Sequence, residues 1–411
     1  MVDDKVNDQL ENKTNIKKIF STSETVVLVF AALLVGLSIG LLYNKKNIVN
    51  TKVEKNDQYL NEFIKNYNYV VDNYYEEVDK ESLINSAIKG MMQSLDDPYS
   101  VYIDEEESNN FNITLNGSYE GLGVQISKDI ETNYILITAV FKDSPASEAG
   151  LIPGDLIVSL DDIQSSELTA SEFSSLVKSG DKDTYQMKIL RDGEEKNITI
   201  TRKMVTLTSV ISETYEQDNK KIGYIYIGIF ANNTYDQFST ELKKLESEGI
   251  DYLIIDVRGN TGGHLTTVDA ILDLFLNRNQ IMYQFEQSGK ITPIYGSGTD
   301  NKKYKIVLLG DEGSASASEV LIGGLKDNLD AIFIGKQTYG KGTVQELVTL
   351  SDGTQYKITI KKWLTPNGTW INDTGGIKPD IEVELDSKYY ETYDSQEDTQ
   401  LQAALDYINN N

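Results

Sequence analysis

The 411-residue sequence contains no cysteine and one histidine, His264. Without thiols there are no disulfides, zinc ribbons, iron-sulfur clusters or cysteine nucleophiles, and such a chain can work outside the cytoplasm without oxidative folding. A lone histidine cannot build a two-histidine metal site and leaves one candidate for a serine-histidine triad. Positive charge is also scarce. With 64 acidic against 38 basic residues the net charge is -26 and the pI about 4.4, which argues against nucleic acid as the main partner. Long apolar runs are limited to one, Thr25 to Tyr43. At about 1.5 Å per residue it spans roughly 28 Å, close to a bilayer core.

That run predicts a single transmembrane helix over 25–43 that remains as an anchor. It ends in Lys45 and Lys46 with no small-x-small cleavage pattern before them, unlike a cleaved signal peptide. Flanking charge leaves the orientation open, because Lys5, Lys13, Lys17 and Lys18 are balanced by Lys45, Lys46, Lys52 and Lys55. The rest of the chain has no second span and therefore lies on one side of the membrane.

The remaining sequence, 39% apolar overall, is long enough for more than one core. Residues 44–115 are read as a helical segment. Short strands such as YILITAV and TYQMKIL, separated by SPASEAGLIPGD and RDGEE, predict a compact domain over 116–204. Over 205–385, strands KIGYIYIGIF, DYLIIDV, YKIVLLG and AIFIG alternate with helical patterns, which predicts an α/β layer structure. VQELVTL and TQYKITIK flank an SDG turn and predict a hairpin. Residues 386–411 are read as a polar helix and an Asn tail.

Three segments carry candidate chemistry. RGNTGG, residues 258–263, follows a strand, and its paired glycines allow backbone amides to face a bound oxygen. An ordinary strand-to-helix turn would look the same. GSASASE, residues 313–319, puts small residues and hydroxyls at a helix start, where free amides and the positive dipole end stabilise an oxyanion. Capping serines share that pattern. TYGKGTVQ, residues 338–345, holds Lys341 between glycines. A lysine base must be neutral, which requires burial or a positive neighbour. With no spare histidine, Ser316 and Lys341 are the only economical nucleophile and base pair in this composition.

In order, DDPYS, YEGLGVQI, SPASEAGLIPGDLIVSL, DVRGNTGG, GSASASEV and TYGKGTVQ resemble the carboxyl-terminal processing, or tail-specific, proteases from about Tyr59 to Leu385. The resemblance implies a PDZ-like domain placed before a mixed-sheet, crotonase-like α/β serine protease core. It implies Ser316 as nucleophile, Lys341 as general base and Gln345 as the residue that positions the lysine. It further implies an oxyanion hole from the amides of Gly262 or Gly263 and of Ala317. His264 departs from the apolar or aromatic residue expected after the glycine pair and is read as pocket lining. Asp327 falls at a position some relatives use near the site, with helix-end capping as its simpler role.

In the PDZ-like part the amides of Leu122, Gly123 and Val124 are expected to clamp a peptide's terminal carboxylate beside a strand edge. Arg191 is a candidate gating contact. No metal or cofactor is expected. The partners expected are protein or peptide substrates with a free carboxyl end and the membrane, and a homodimer is one assembly this reading allows. A processing protease of this type is expected to act outside the cytoplasm, which puts the amino terminus inside and the body outside. Two other classes compete. A catalytically dead PDZ scaffold would not need Ser316, Lys341 and Gln345 together. A penicillin-recognising acyl enzyme is suggested by SAIK at Ser86 to Lys89, but SDN and KTG partners are missing.

Overall fold

The computed structural model describes residues 57–179, 182–299, 302–350, 353–392 and 394–411. The chain falls into two units, residues 1–87 and 88–411. In the first, the helix Gln58–Asn73 starts at Asp57, whose carboxylate accepts the N–H groups of Tyr59 and Leu60. Those donors have no partner inside a helix, and an Asp at this position satisfies them. The expected tail 1–24 and membrane span 25–43 lie outside the described residues. Among the described residues, no helix is long and apolar enough to cross a membrane. SAIK falls within the helix Lys80–Gln93, and Lys89 turns to the surface, 3.8 Å from Asp104.

In the second unit a two-strand neck, Ser118–Gly121 antiparallel to Lys203–Thr206, carries an inserted domain. Its sheet runs in the order Val124–Lys128, Ile135–Val140, Leu156–Leu160, Thr184–Arg191, Glu194–Thr201. The two-residue period of a strand explains its core. Ile135 and Ile137 from one strand and Tyr185, Met187 and Ile189 from another point inward, onto Phe173 and Val177 of the helix Ala170–Ser179. Arg191 is held within this domain. Its guanidinium makes a two-pronged bond to buried Asp155 at 2.6 and 2.7 Å and donates to the Gly150 carbonyl, fixing the 150–155 turn.

The larger layer is a six-stranded sheet ordered Val210–Gln217, Lys220–Ile227, Tyr252–Asp256, Lys305–Gly310, Ile332–Gly335, Ile381–Glu382. The first pair is antiparallel and the rest are parallel. Parallel strands are covered on both faces, so they are apolar without alternation. All five residues of Tyr252–Asp256 are buried. Leu253, Ile255 and Leu308 face the helices Thr234–Glu248, Leu265–Leu272 and Ala317–Leu329. Ile254, Val307 and Leu309 face Leu401, Leu405 and Ile408 of the helix Thr399–Asn410. That last helix, read from sequence as polar, is amphipathic and buries its apolar face against this side of the sheet.

A buried ion cluster fixes it there. Arg258 bonds Asp256 at 2.6 Å and Asp398, the cap of the last helix, at 2.8 Å, and the Tyr224 hydroxyl donates to Asp256. A second, antiparallel sheet contains the hairpin Thr343–Thr349 and Gln355–Leu364, flanked by Val101–Ile103 and Ile281–Gln287. The three candidate chemical segments are therefore loops at the carboxyl ends of three adjacent parallel strands, Tyr252–Asp256, Lys305–Gly310 and Ile332–Gly335. Ligand sites of open parallel sheets gather there.

Candidate active site

Three serines alternate across the start of the helix Ala317–Leu329, and the structure separates them. Ser314 is buried and donates to the Val257 carbonyl at 2.8 Å, while buried Ser318 donates to the Asn260 carbonyl at 2.8 Å. Ser316 lines a cleft of about 810 Å³. As N-cap it has φ 56° and ψ -113°, a backbone state costing roughly 1–3 kcal/mol for a residue with a Cβ. The turn presents its hydroxyl to the cleft and leaves the Ala317 N–H at the positive end of a thirteen-residue helix.

The glycine segment packs directly against it. A Cβ on Gly262 (φ 107°) would sit 2.9 Å from the Ser316 Cβ, and one on Gly263 (φ 142°) would sit 2.3 Å from the Phe230 carbonyl oxygen. Only glycine fits either place. The hub is Asn260, fully buried, whose side chain donates to the Ile227 carbonyl and accepts from the Gly262 N–H at 2.8 Å. Its own carbonyl accepts from Ala315 and Ser318. Of the two glycine amides expected to serve an oxyanion, the Gly262 N–H is thus already committed to Asn260. Gly263 and Ala317 are the candidate amides that remain, since their N–H groups have no hydrogen-bond acceptor among the described residues.

Glu319, which sequence reasoning passed over, joins the serine and lysine loops. Its carboxylate is fully buried and accepts four bonds, from Thr338 Oγ1 and Gly340 N at 2.6 Å, from Lys341 N at 2.9 Å and from Ser316 N at 2.8 Å. Burial raises its pKa, and those donors oppose the rise. The signal was available in part, since Ser-x-x-Glu before an apolar run is a capping-box pattern. The Lys341 carbonyl accepts the Trp363 indole N–H at 2.9 Å. The loop is thus fixed from both sides.

The Lys341 side chain enters the cleft with Nζ 5.0 Å from the Tyr99 ring centre. Burial lowers its pKa to about 8, helped by the positive charge of Lys357 and opposed by Glu319 and Asp97. Asp97 belongs to DDPYS. Its carboxylate accepts from Ser100 and Tyr99, and the Ser100 hydroxyl accepts the Thr359 N–H, which attaches this turn to the hairpin. Burial pushes Tyr99 up to about 12, with a bond to Tyr339 adding to the rise. Gln345 also lines the cleft, but its amide nitrogen is committed to the Thr343 and Thr359 hydroxyls at 2.9 and 3.1 Å. Its carbonyl oxygen is the atom left to face a lysine.

His264 lines the same cleft, and burial lowers its pKa. Its Nε2 is buried without a partner among the described residues. Asp327 does not line the cleft and accepts the Asn367 N–H at 3.1 Å, tying its helix to a neighbouring turn. Leu122, Gly123 and Val124 lie in the inserted domain. Gly123 (φ 80°) has no room for a Cβ, which would meet the Ser144 Cβ at 2.2 Å. The strand Val124–Lys128 is a sheet edge. Beside it Ile126, with Ala170 and Ser174 of the helix Ala170–Ser179, lines a second cleft of about 890 Å³.

A model of peptidase family S41 matches residues 221–383, one of the PDZ domain matches 121–201, and one of the activating protease CtpB N-terminal domain matches 39–107. The carboxy-terminal processing protease CtpB of Bacillus subtilis is 37% identical over 332 residues, 80% of this chain and 68% of that protein. The carboxyl-terminal-processing protease of a Synechocystis species is 34% identical over 326 residues, 79% of this chain and 76% of that protein. A solved photosystem II D1 C-terminal processing protease has a TM-score of 0.47 at 26% identity, covering 78% of this chain and 86% of that one.

Proposed function

The chain belongs to the carboxy-terminal processing proteases of peptidase family S41, and we propose that it is a membrane-anchored endopeptidase acting outside the cytoplasm with a Ser316–Lys341 dyad. It is a serine peptidase with a PDZ domain. The observation that carries the dyad is the shared cleft, where Ser316 stands at a strained helix start and Lys341 is buried enough to lose its proton near neutral pH. The apolar run 25–43 supports the anchor.

In the proposed reaction Ser316 Oγ attacks the scissile carbonyl carbon while its proton passes to neutral Lys341 Nζ. The carbonyl oxygen becomes an oxyanion facing the Gly263 and Ala317 N–H groups. Collapse breaks the C–N bond, and the Lys341 ammonium returns the proton to the leaving amine. A water deprotonated by Lys341 then hydrolyses the acyl-Ser316 ester. Because only neutral lysine can act, kcat/KM should rise as pH rises through about 8 and level off above it. A rate independent of pH between about 6 and about 9 would remove lysine from the base role.

Substrate choice falls to the PDZ domain, where amides at Leu122, Gly123 and Val124 would hold a terminal carboxylate and the edge strand Val124–Lys128 would pair with the peptide. The test is cleavage of one peptide with a free or an amidated end. Amidation should raise KM about tenfold or more and leave the pH profile intact. Equal cleavage of both forms at every concentration would leave the PDZ domain idle in selection.

A further inference from the structure

The cleft contains a second ammonium group that the proposed chemistry does not use. Lys357 is the third residue of the strand Gln355–Leu364, opposite Val101 on one side and Leu347 on the other. Its half-buried side chain lines the cleft, with Nζ 5.3 Å from the Phe111 ring centre. Among the described residues no carboxylate comes within ion-pair distance of it and no acceptor hydrogen-bonds it. Elsewhere the chain pairs its lysines readily: on the same strand Lys362 meets Glu286 at 3.5 Å, and Lys336 reaches both Glu382 and Glu384.

In a chain of net charge -26, a cation withdrawn from water without an anion is conspicuous, because its desolvation goes uncompensated. The charged and titratable groups around it explain the vacancy. Lys341 repels it across the cleft. Glu319 is saturated by four donors, and Asp97 is occupied by Ser100 and Tyr99. Glu312 lies at the exposed rim, and Tyr99, Tyr339 and His264 complete the titratable lining without a carboxylate. The ring of Phe111 offers only a weak cation–π contact.

We propose that Lys357 binds a carboxylate of the peptide in the cleft, either an acidic side chain near the scissile bond or the chain end itself, and so adds a second point of selection beside the PDZ domain. This rests on the cleft being the proteolytic site. A carboxylate supplied by the substrate would complete a charge-assisted hydrogen bond in a partly dry site, where such bonds are strongest. It would also screen Lys341 from Lys357 once substrate is bound.

The test is a peptide series in which each residue within four of the scissile bond is Asp or Asn in turn, with a free or amidated end. Wild type should prefer the carboxylate at one position by about tenfold in kcat/KM, equivalent to ~1.4 kcal/mol. In Lys357→Met that preference should fall to within about twofold, and in Lys357→Arg it should persist. An effect that follows Asp against Asn identifies a side chain, and an amidation effect lost in Lys357→Met identifies the chain end. Lys357→Met should also melt above wild type, since it removes an unpaired, half-buried cation. The proposal is overturned by an unchanged preference in Lys357→Met, by a wild type indifferent to carboxylate at every position, or by a lower melting point. The proteolytic reading itself is judged separately, by loss of all cleavage in Ser316→Ala.

Discussion

Ser316→Ala and Lys341→Ala should each lower peptide hydrolysis by about 1,000-fold or more while far-UV circular dichroism stays that of the wild type. The serine variant loses the attacking oxygen. The lysine variant keeps the oxygen but loses the group that takes its proton, since the other lysine of the cleft, Lys357, belongs to the strand Gln355–Leu364 and holds its Nζ over the Phe111 ring. Lys341→Arg should fail almost as completely, because a guanidinium stays protonated at any working pH. His264→Ala belongs in the same assay and should keep substantial activity. Cleavage within about tenfold of wild type by either alanine variant of the dyad would refute the assignment.

Glu319→Gln should be nearly as damaging without touching substrate. The carboxylate receives four donors, and an amide can accept at only one of its two ends. Its NH2 group would face two N–H donors or one N–H and one hydroxyl, pushing the Ser316 turn and the Lys341 loop apart. We expect kcat to fall about 100-fold with KM little changed, and stability to fall by about 2–4 kcal/mol. A purely structural role would leave the pH profile in place. Here the negative charge of Glu319 raises the Lys341 pKa, so its removal should move the inflection below about 8 even as the plateau drops. An inflection that stays put while activity falls would make Glu319 a packing residue only.

The α/β layering was legible because buried parallel strands are continuously apolar and end in punctuated loops, as DYLIIDV does before RGNTGG. Ser316 and Lys341 stood out as candidates by elimination, since the composition offers so few alternatives. The donor choice at the glycine pair was not, because the acceptor that captures Gly262 is a side chain two residues earlier whose direction no pattern encodes. Glu319 was half legible. Its bond to Ser316 N is local, but those to Thr338 and Gly340 cross some twenty residues and exist only once two loops meet. The last helix was misread for another reason. Leu401, Ala404, Leu405 and Ile408 follow helical spacing, yet the Gln and Asn residues among them hid a face that the sheet buries.

That helix has a consequence for the order of synthesis. The strand end that feeds the glycine loop is held by Arg258, and Arg258 is held in turn by Asp398, 140 positions further along the chain. A ribosome therefore releases the serine, the lysine and both candidate amides long before it releases the residue that locks the loop between them. Until the segment around Asp398 emerges and its helix covers Ile254, Val307 and Leu309, one face of the sheet is bare. A nascent chain assembled this way can lock the loop beside its serine only after the segment around Asp398 has emerged.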